Sequence, residues 1–445
     1  MKRILYISLA IMLVFGTGCK KGDIVQTDKS SARLTYFGFV KNDSMPGLSA
    51  TFTIEERNDT GLVWNKDSML YGTSLKRVVP RFTFAATPGA ASLKLRDSVC
   101  TLTGYDTLDF TRTPIYLTVR SQDKSNTKVY EIRASVHQAD PDLYTWEELE
   151  SSIYGNSDSE QRVVEFGGDF VMLASDGFSM FAWRSTDGSD WSLPTTLNGL
   201  PAGTKIRQIV SDGNTLYYGQ DSILYTSTDI YNWTSQKMSR LIATMLLYWN
   251  DRVWMLTGTD DTDYELAYVD NDTLALSGLK PDGEFPISDF ATVSFMSSSL
   301  RERAMIIGGF AENGKSLNTR WNLEYSTHIK EHNGYRLQEF SMDRSSFSGL
   351  TGISVVYYNN QLLLFGGIDD QAKYFGRDIL TSKDEGLTWN KADTAKNQLP
   401  AAYQARQKQN AIVRNNNIYL FGGQDAQTTY SDVYKGRLNS IDWEK

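Results

Sequence analysis

His328 and His332 stand four residues apart, a spacing that on a helix would turn two imidazoles to one side and offer a metal pair. The chain has only one other histidine, His137, and only two cysteines, Cys19 and Cys100, which argues against a thiolate-rich or histidine-rich centre. The segment around the pair, residues 326–333, is polar and reads as a solvated loop, so no metal is expected. Asp260, Asp261 and Asp263 carry the oxygen ligands that calcium takes, but three acids in a polar loop are ordinarily just solvated. The glycine pairs Gly308-Gly309, Gly366-Gly367 and Gly422-Gly423 end apolar runs and lead into no Gly-Lys-Ser/Thr sequence, so they do not cradle phosphate. No cofactor is expected.

Those glycine pairs are part of a repeat, 58 and 56 residues apart, and a second signature interleaves with them. Ser185-x-Asp187 followed by Trp191, Ser227-x-Asp229 followed by Trp233, and Ser382-x-Asp384-x-Gly386 followed by Trp389 form Asp-boxes, the last complete and the others one residue shorter. Each part serves the fold. The carboxylate accepts hydrogen bonds from the turn, the Trp packs between neighbouring sheets, and the glycines let backbones crowd where a Cβ would clash. Counting outermost strands by Trp191, Trp233, Leu276, Phe340, Trp389 and Trp443 gives a six-bladed kelch-like β-propeller over residues 161–445, about 47 residues per blade. Every blade then reads as consecutive strands, and how the ring closes stays open unless the segment before residue 161 contributes.

Residues 32–140 show strand-like runs at 34–39, 51–54, 81–84, 100–102, 115–119 and 130–136, with Asp123-Lys124-Ser125-Asn126 turning between the last two. Strands of that length and spacing predict an immunoglobulin-like β-sandwich, so the fold class is all-β. Ala139-Asp140-Pro141-Asp142 breaks the pattern, and residues 141–160 read as a linker.

The start of the chain concerns its address. Lys2 and Arg3 precede an apolar run of 12 residues, 4–15, too short to span a bilayer, then Gly16-Thr17-Gly18 and Cys19. This order predicts a lipoprotein signal peptide over 1–18, lipidation of Cys19 and a polar tether over 19–31, so the chain is expected on the outer membrane, at the cell surface or the periplasmic face. The expected membrane contact is through the lipid anchor. With Cys19 lipidated, Cys100 has no partner in the chain, and hydrophobic cores alone must hold both domains. The 445 residues carry a net charge of −8, which repels phosphate backbones, so nucleic acid is not an expected partner.

The stretches 65–73, 106–110 and 136–146 are similar to those of a family of Bacteroidales lipoproteins that pair an immunoglobulin-like domain with a kelch or galactose-oxidase-like propeller. The resemblance covers nearly the whole mature chain and implies fold and address, but no activity. Copper-radical chemistry of the galactose oxidase kind needs a Cys–Tyr cross-link and two converging histidines, and residues 161–445 hold no cysteine. Asp-boxes also occur in sialidases, where three arginines hold a carboxylate. Arg207, Arg240 and Arg406 fall near the starts of inner strands, so a sialidase-like glycoside hydrolase is the alternative.

The favoured expectation is non-catalytic binding of a glycan or a protein partner on one face of the propeller. Its candidate residues lie in the irregular aromatic loops: Tyr264, Arg320, Trp321, Tyr374, Phe375, Arg377, Tyr403, Arg406 and Tyr430.

Overall fold

A computed structural model describes residues 28–154, 160–259, 263–270, 273–297, 299–342, 348–392 and 397–440. The signal peptide, Cys19, Asp260, Asp261 and Trp443 lie outside the described residues. Among those described there is no α-helix and no helix long and apolar enough to cross a membrane. The chain divides into two compact units between Asp140 and Pro141.

The N-terminal unit has a six-stranded sheet in the order Phe52–Glu56, Thr60–Asn65, Thr127–Arg133, Ile115–Arg120, Ala90–Leu95, Ser98–Thr101, and a two-stranded sheet of Leu34–Phe39 with Pro80–Phe84. Alternation makes one side of each strand apolar. Ile115, Leu117 and Val119 point inward with Leu93, Tyr130 and Ile132, and they share one core with Leu34, Phe37 and Phe39 of the smaller sheet. Tyr130 ties the sheets together, its hydroxyl accepting the Leu34 N–H at 2.8 Å. Thr60–Asn65 and Ala90–Leu95 are strands that the sequence pattern does not announce, and Thr60–Asn65 runs parallel to Thr127–Arg133. Cys100 is a free thiol, half-buried.

The C-terminal unit is a succession of antiparallel sheets. Four have four strands each, and their innermost strands are Glu160–Phe166, Ala291–Met296, Ser354–Tyr358 and Asn410–Arg414. The other is six-stranded because Thr234–Trp249 continues from one sheet into the next. Its start pairs with Leu216–Ser227 (Thr234 opposite Thr226), and its end pairs with Arg252–Gly258.

Apolar clusters fill the space between successive sheets, and one of them joins the last to the first. There Tyr419, Phe421 and Val433 pack against Phe170, Met172 and Trp183, so the sheets form a closed ring. A strand exchange clasps it. The fourth strand of the last sheet is Tyr144–Glu150, which precedes all the others in sequence and pairs antiparallel with Thr429–Leu438. The expectation of a linker over 141–160 is therefore corrected. The outermost strand of the last sheet comes from the start of the unit, with Trp146 opposite Gly436. Both ends of the unit are thereby tied into one sheet, which a ring without disulfides needs.

Candidate functional site

The Asp-box residues are turn-builders. Asp187 Oδ1 accepts the N–H groups of Ser189 at 2.8 Å and Asp190 at 3.1 Å, while Trp191 Nε1 donates to the Gly188 carbonyl at 3.1 Å. Asp229 repeats this with Tyr231 and Asn232, and Trp233 Nε1 reaches the Ile230 carbonyl at 2.9 Å. Asp384 accepts from Thr388 N at 2.9 Å, and Gly386 N donates to Ser382 Oγ at 2.8 Å. Trp233 and Trp389 are buried. The carboxylates of these turns are consumed locally.

Gly366 and Gly422 make room for a glutamine of the following sheet, whereas Gly308 and Gly309 let backbone carbonyls, of Leu350 and Ser288, approach. A Cβ at Gly366 would lie 2.3 Å from Gln409 Nε2, and it is this space that lets Gln409 donate to the Phe365 carbonyl at 2.6 Å. Across the closure, Gln161 Nε2 donates to the carbonyls of Gly423 at 3.1 Å and Tyr430 at 2.7 Å. Gln161 is the second residue of the inner strand Glu160–Phe166, and Gln409 immediately precedes the inner strand Asn410–Arg414. Successive side chains of such a strand turn to the two neighbouring sheets: Val163 packs with Tyr419 and Phe421 of the last sheet, and Val164 with Ile206 and Leu216 of the next.

The axis is open there. A cavity of about 400 Å³ is lined by inner-strand segments from all round the ring, among them Arg162–Glu165, Val210–Gly213, Phe290–Thr292, Ile353–Val355 and Gln409–Ile412. A smaller cavity adjoins it where the inner strands start, and Arg162 and Arg207 line both. Arg162 makes no ion pair among the described residues, and its buried Nε has no hydrogen-bond partner there. Burial, with the like charge of Arg207, pushes its guanidinium down to about 10, so it stays cationic at neutral pH. Asn410 is only 5 % exposed, and its Nδ2 is likewise buried without a partner.

Arg207 is held firmly. Its Nη1 donates to the Lys408 carbonyl at 2.6 Å, and its Nε faces Asp289 Oδ1 at 3.5 Å. The mouth of the cavity is thereby closed into a circuit. Gly352 N donates to the Asp289 carbonyl at 2.8 Å, Lys408 N donates to the Gly352 carbonyl at 2.6 Å, and Arg207 completes the loop back to Asp289. Asp289 and Lys408 both hold left-handed backbone (φ 50° and 61°), the conformation that these successive loops need to pass the chain of hydrogen bonds along.

The arginine triad is not brought together. Arg207 lines the cavity, but Arg240 pairs with Glu265 at 2.9 Å, and Arg406 makes two contacts to Asp432, at 2.5 Å and 3.0 Å. The recognition face is corrected for four of its nine residues. Arg320, Trp321, Tyr403 and Arg406 are all 2 % exposed or less and present nothing to a ligand. Trp321 packs in the core between sheets, and Arg320 lies over the Phe340 ring at 4.5 Å. Arg406 sits between the rings of Tyr403 (4.3 Å) and Tyr430 (3.8 Å). Tyr264, Tyr374, Phe375, Arg377 and Tyr430 are half-buried. Arg377 is spent on the Leu399 carbonyl, and the Tyr430 hydroxyl donates to Asp425. None of the nine lines the axial cavity.

Asp263 pairs with Lys280, and no group of three or more metal-ligating side chains occurs among the described residues. His328 is exposed in the loop expected for it. Arg162 and Asn410, which are not among the candidates drawn from sequence, carry a faint signal there. Gln161-Arg162-Val163-Val164 and Gln409-Asn410-Ala411-Ile412 both place a polar residue between a glutamine and an apolar pair.

Compared with known proteins, residues 140–445 match the family described as DUF6242 beta propeller domain, and residues 25–134 match the Domain of unknown function (DUF6242) N-terminal domain. A solved structure titled "Structure of YjhT" aligns at a TM-score of 0.46 and 15 % identity, covering 64 % of this chain and 95 % of its own. No curated protein matches.

Proposed function

The chain belongs to the DUF6242 family, its C-terminal unit being that family's β-propeller, and from this premise we propose that it is a non-catalytic recognition protein which takes the end of a glycan into the axial cavity of the ring. The propeller has six blades of kelch-like character, the six-stranded sheet being two blades fused along Thr234–Trp249, and the N-terminal unit is an immunoglobulin-like spacer. Lipid on Cys19 anchors the whole at the outer membrane, facing the cell surface.

One observation carries this reading. The cavity is lined by Arg162, a guanidinium that makes no ion pair among the described residues. A desolvated charge without a counter-ion costs free energy, so a polar ligand entering the cavity offsets part of that cost. A cavity of about 400 Å³ with polar and apolar walls suits a sugar unit or two rather than a protein surface.

The alternative, a sialidase-like hydrolase, requires three guanidiniums on one carboxylate. The engagement of Arg240 with Glu265 and of Arg406 with Asp432 weighs against it.

The test is a glycan array probed with the detergent-extracted full-length protein. Saturable binding to a defined group of glycans, lost on adding the free terminal sugar, is the expected result. An array without signal, together with unchanged binding to whole cells after glycans are stripped, contradicts the reading.

A further inference from the structure

We infer that the cleft between the Ser354–Tyr358 sheet and the last sheet is a second glycan site, one that holds a neutral oligosaccharide along its length. It goes beyond the axial reading, since no residue lines both this cleft and the axial cavity.

Ring closure sets this place apart. Where an Asp-box joins the third strand of a sheet to the outermost, its Trp packs against the preceding sheet. Trp191 packs with Phe170 and Tyr419, Trp233 with Val164 and Leu216, and Trp389 with Met305 and Leu364. The last sheet has no such turn, because its third strand, Thr429–Leu438, pairs with the exchanged strand Tyr144–Glu150. Tyr144 opens that strand, and beside it lies a hollow of about 800 Å³, twice the volume of the axial cavity.

Strand alternation decides what faces the hollow. Leu363 packs with Tyr144 and Leu438. Thr381 stands opposite Leu363, and Asn390 opposite Thr381, so their side chains turn to the same side. Gln361, two residues before Leu363, follows them, and its Nε2 donates to the Tyr144 hydroxyl at 3.3 Å. The wall is therefore two amides and a hydroxyl over an apolar floor of Tyr144, Ala392 and Leu438. Such side chains both donate and accept, as sugar hydroxyls do, and the C–H faces of a sugar ring cover the floor.

Charge favours neither an acid nor a cation. Lys391 pairs with Asp378 at 2.7 Å, and Asp384 spends its oxygens on Ser382 and Thr388. Asp142 and Lys383, both exposed lining residues, carry opposite signs. A further hollow of about 300 Å³ continues the first, sharing Asn360, Gln361, Lys383 and Asp384 with it, and reaches Arg303 of the Ala291–Met296 sheet. A trough of this extent takes several sugar units, and a single one leaves most of it empty.

The experiment is calorimetric titration of the detergent-extracted full-length protein with cellohexaose, mannohexaose, xylohexaose and maltohexaose, with glucose, mannose and xylose, and with hexagalacturonate. It is run on wild type, Asn390→Ala, Asn390→Trp, Thr381→Val, Arg162→Gln, Trp443→Ala and the remote exposed control Arg96→Gln. At least one neutral hexaose is expected to bind, its monosaccharide at least about tenfold weaker. Asn390→Ala and Thr381→Val should each lose about two- to tenfold, Asn390→Trp, which fills the cleft, more than about tenfold, and Arg96→Gln nothing. Asn390 is exposed, so both of its variants should fold, which thermal unfolding checks.

A hexaose whose binding falls with Arg162→Gln and with no cleft variant would overturn the cleft site and leave the axial reading standing. A monosaccharide binding as tightly as its hexaose, or hexagalacturonate binding tightest, would overturn the neutral, extended ligand. Binding seen only with Trp443→Ala would overturn the site as well, making the cleft the seat of the chain's own residues 441–445. No hexaose bound by any variant, with a glycan array that still gives signal, would remove the cleft site alone.

Discussion

Arg207 Nη1 donates to the carbonyl of Lys408 at 2.6 Å across 201 residues of sequence, spanning the mouth of the ring. Together with the Asp289 contact, this makes Arg207 part of the wall, whereas the Nε of Arg162 beside it has no partner among the described residues. Two arginines of one cavity therefore have opposite energetic characters. Arg207→Ala strands the Lys408 carbonyl and removes one of the two cations paired with Asp289, and should destabilise the C-terminal unit by about 1–3 kcal/mol. Arg162→Gln removes an unpaired, partly desolvated charge and should leave stability unchanged or raise it by up to ~1 kcal/mol. Guanidinium chloride unfolding of both variants decides this, and a loss above ~1 kcal/mol for Arg162→Gln would make that residue structural.

The Arg406–Asp432 pair is interior, with the guanidinium between two tyrosine rings. Replacing Arg406 by Ala leaves Asp432 uncompensated and should cost about 3–5 kcal/mol. A variant that unfolds at the wild-type denaturant midpoint yet fails to bind ligand would return Arg406 to the recognition face.

Ring closure makes a separate prediction. Gly436 faces Trp146 so closely that a Cβ there would lie 2.3 Å from indole Cε3. Gly436→Val should force the Tyr144–Glu150 strand off its partner and cost about 1–3 kcal/mol. Limited proteolysis should then cut near residue 150. An unchanged digestion pattern would show that the closing strand tolerates displacement.

Asp-box carboxylates give the unit an acid-dependent share of its stability. Asp187 is held below the usual carboxylate range by the N–H groups of Ser189 and Asp190, and Asp229 by the side chain and N–H of Asn232. Folded values below unfolded ones mean that the contribution is complete above an unfolded value of about 3.9 and disappears as pH falls through the folded values. Melting temperature should drop as pH falls below about 4, and less steeply in the double variant Asp187→Asn, Asp229→Asn. Parallel curves for the two proteins would count against these turns as the source.

Address is tested in cells. Cys19→Ala should move the protein from the membrane fraction to the soluble one and abolish incorporation of labelled palmitate. Retention in the membrane without label would point to another anchor.

The all-β character is legible in the sequence because strand alternation such as Ile115, Leu117 and Val119, and turn chemistry such as Asp384 with Gly386, are local properties of the chain. The diglycines signal crowding, but only the fold names the crowding atoms, Gln409 and Gln161. Closure by Tyr144–Glu150 is hidden, since a lone strand separated from its partner Thr429–Leu438 by most of the unit carries no mark of that partner. The binding face is illegible for a related reason. Arg406 and Trp321 have the composition of hot-spot residues, and only tertiary packing reveals that Asp432 and the neighbouring sheet already occupy them. Arg162 escapes notice because one charge at the start of an apolar strand ordinarily signals an exposed strand end, and the ring places that end on its own axis.

The most direct measurement mixes full-length protein with an isotopically labelled oligosaccharide that it binds, then follows bound and free sugar by mass spectrometry over several hours. Recognition without transformation predicts that every bound chain is recovered at its original mass, and that Arg162→Gln weakens retention. A shortened or rearranged sugar that accumulates with wild type but not with Arg162→Gln would contradict the account and make the cavity an active site.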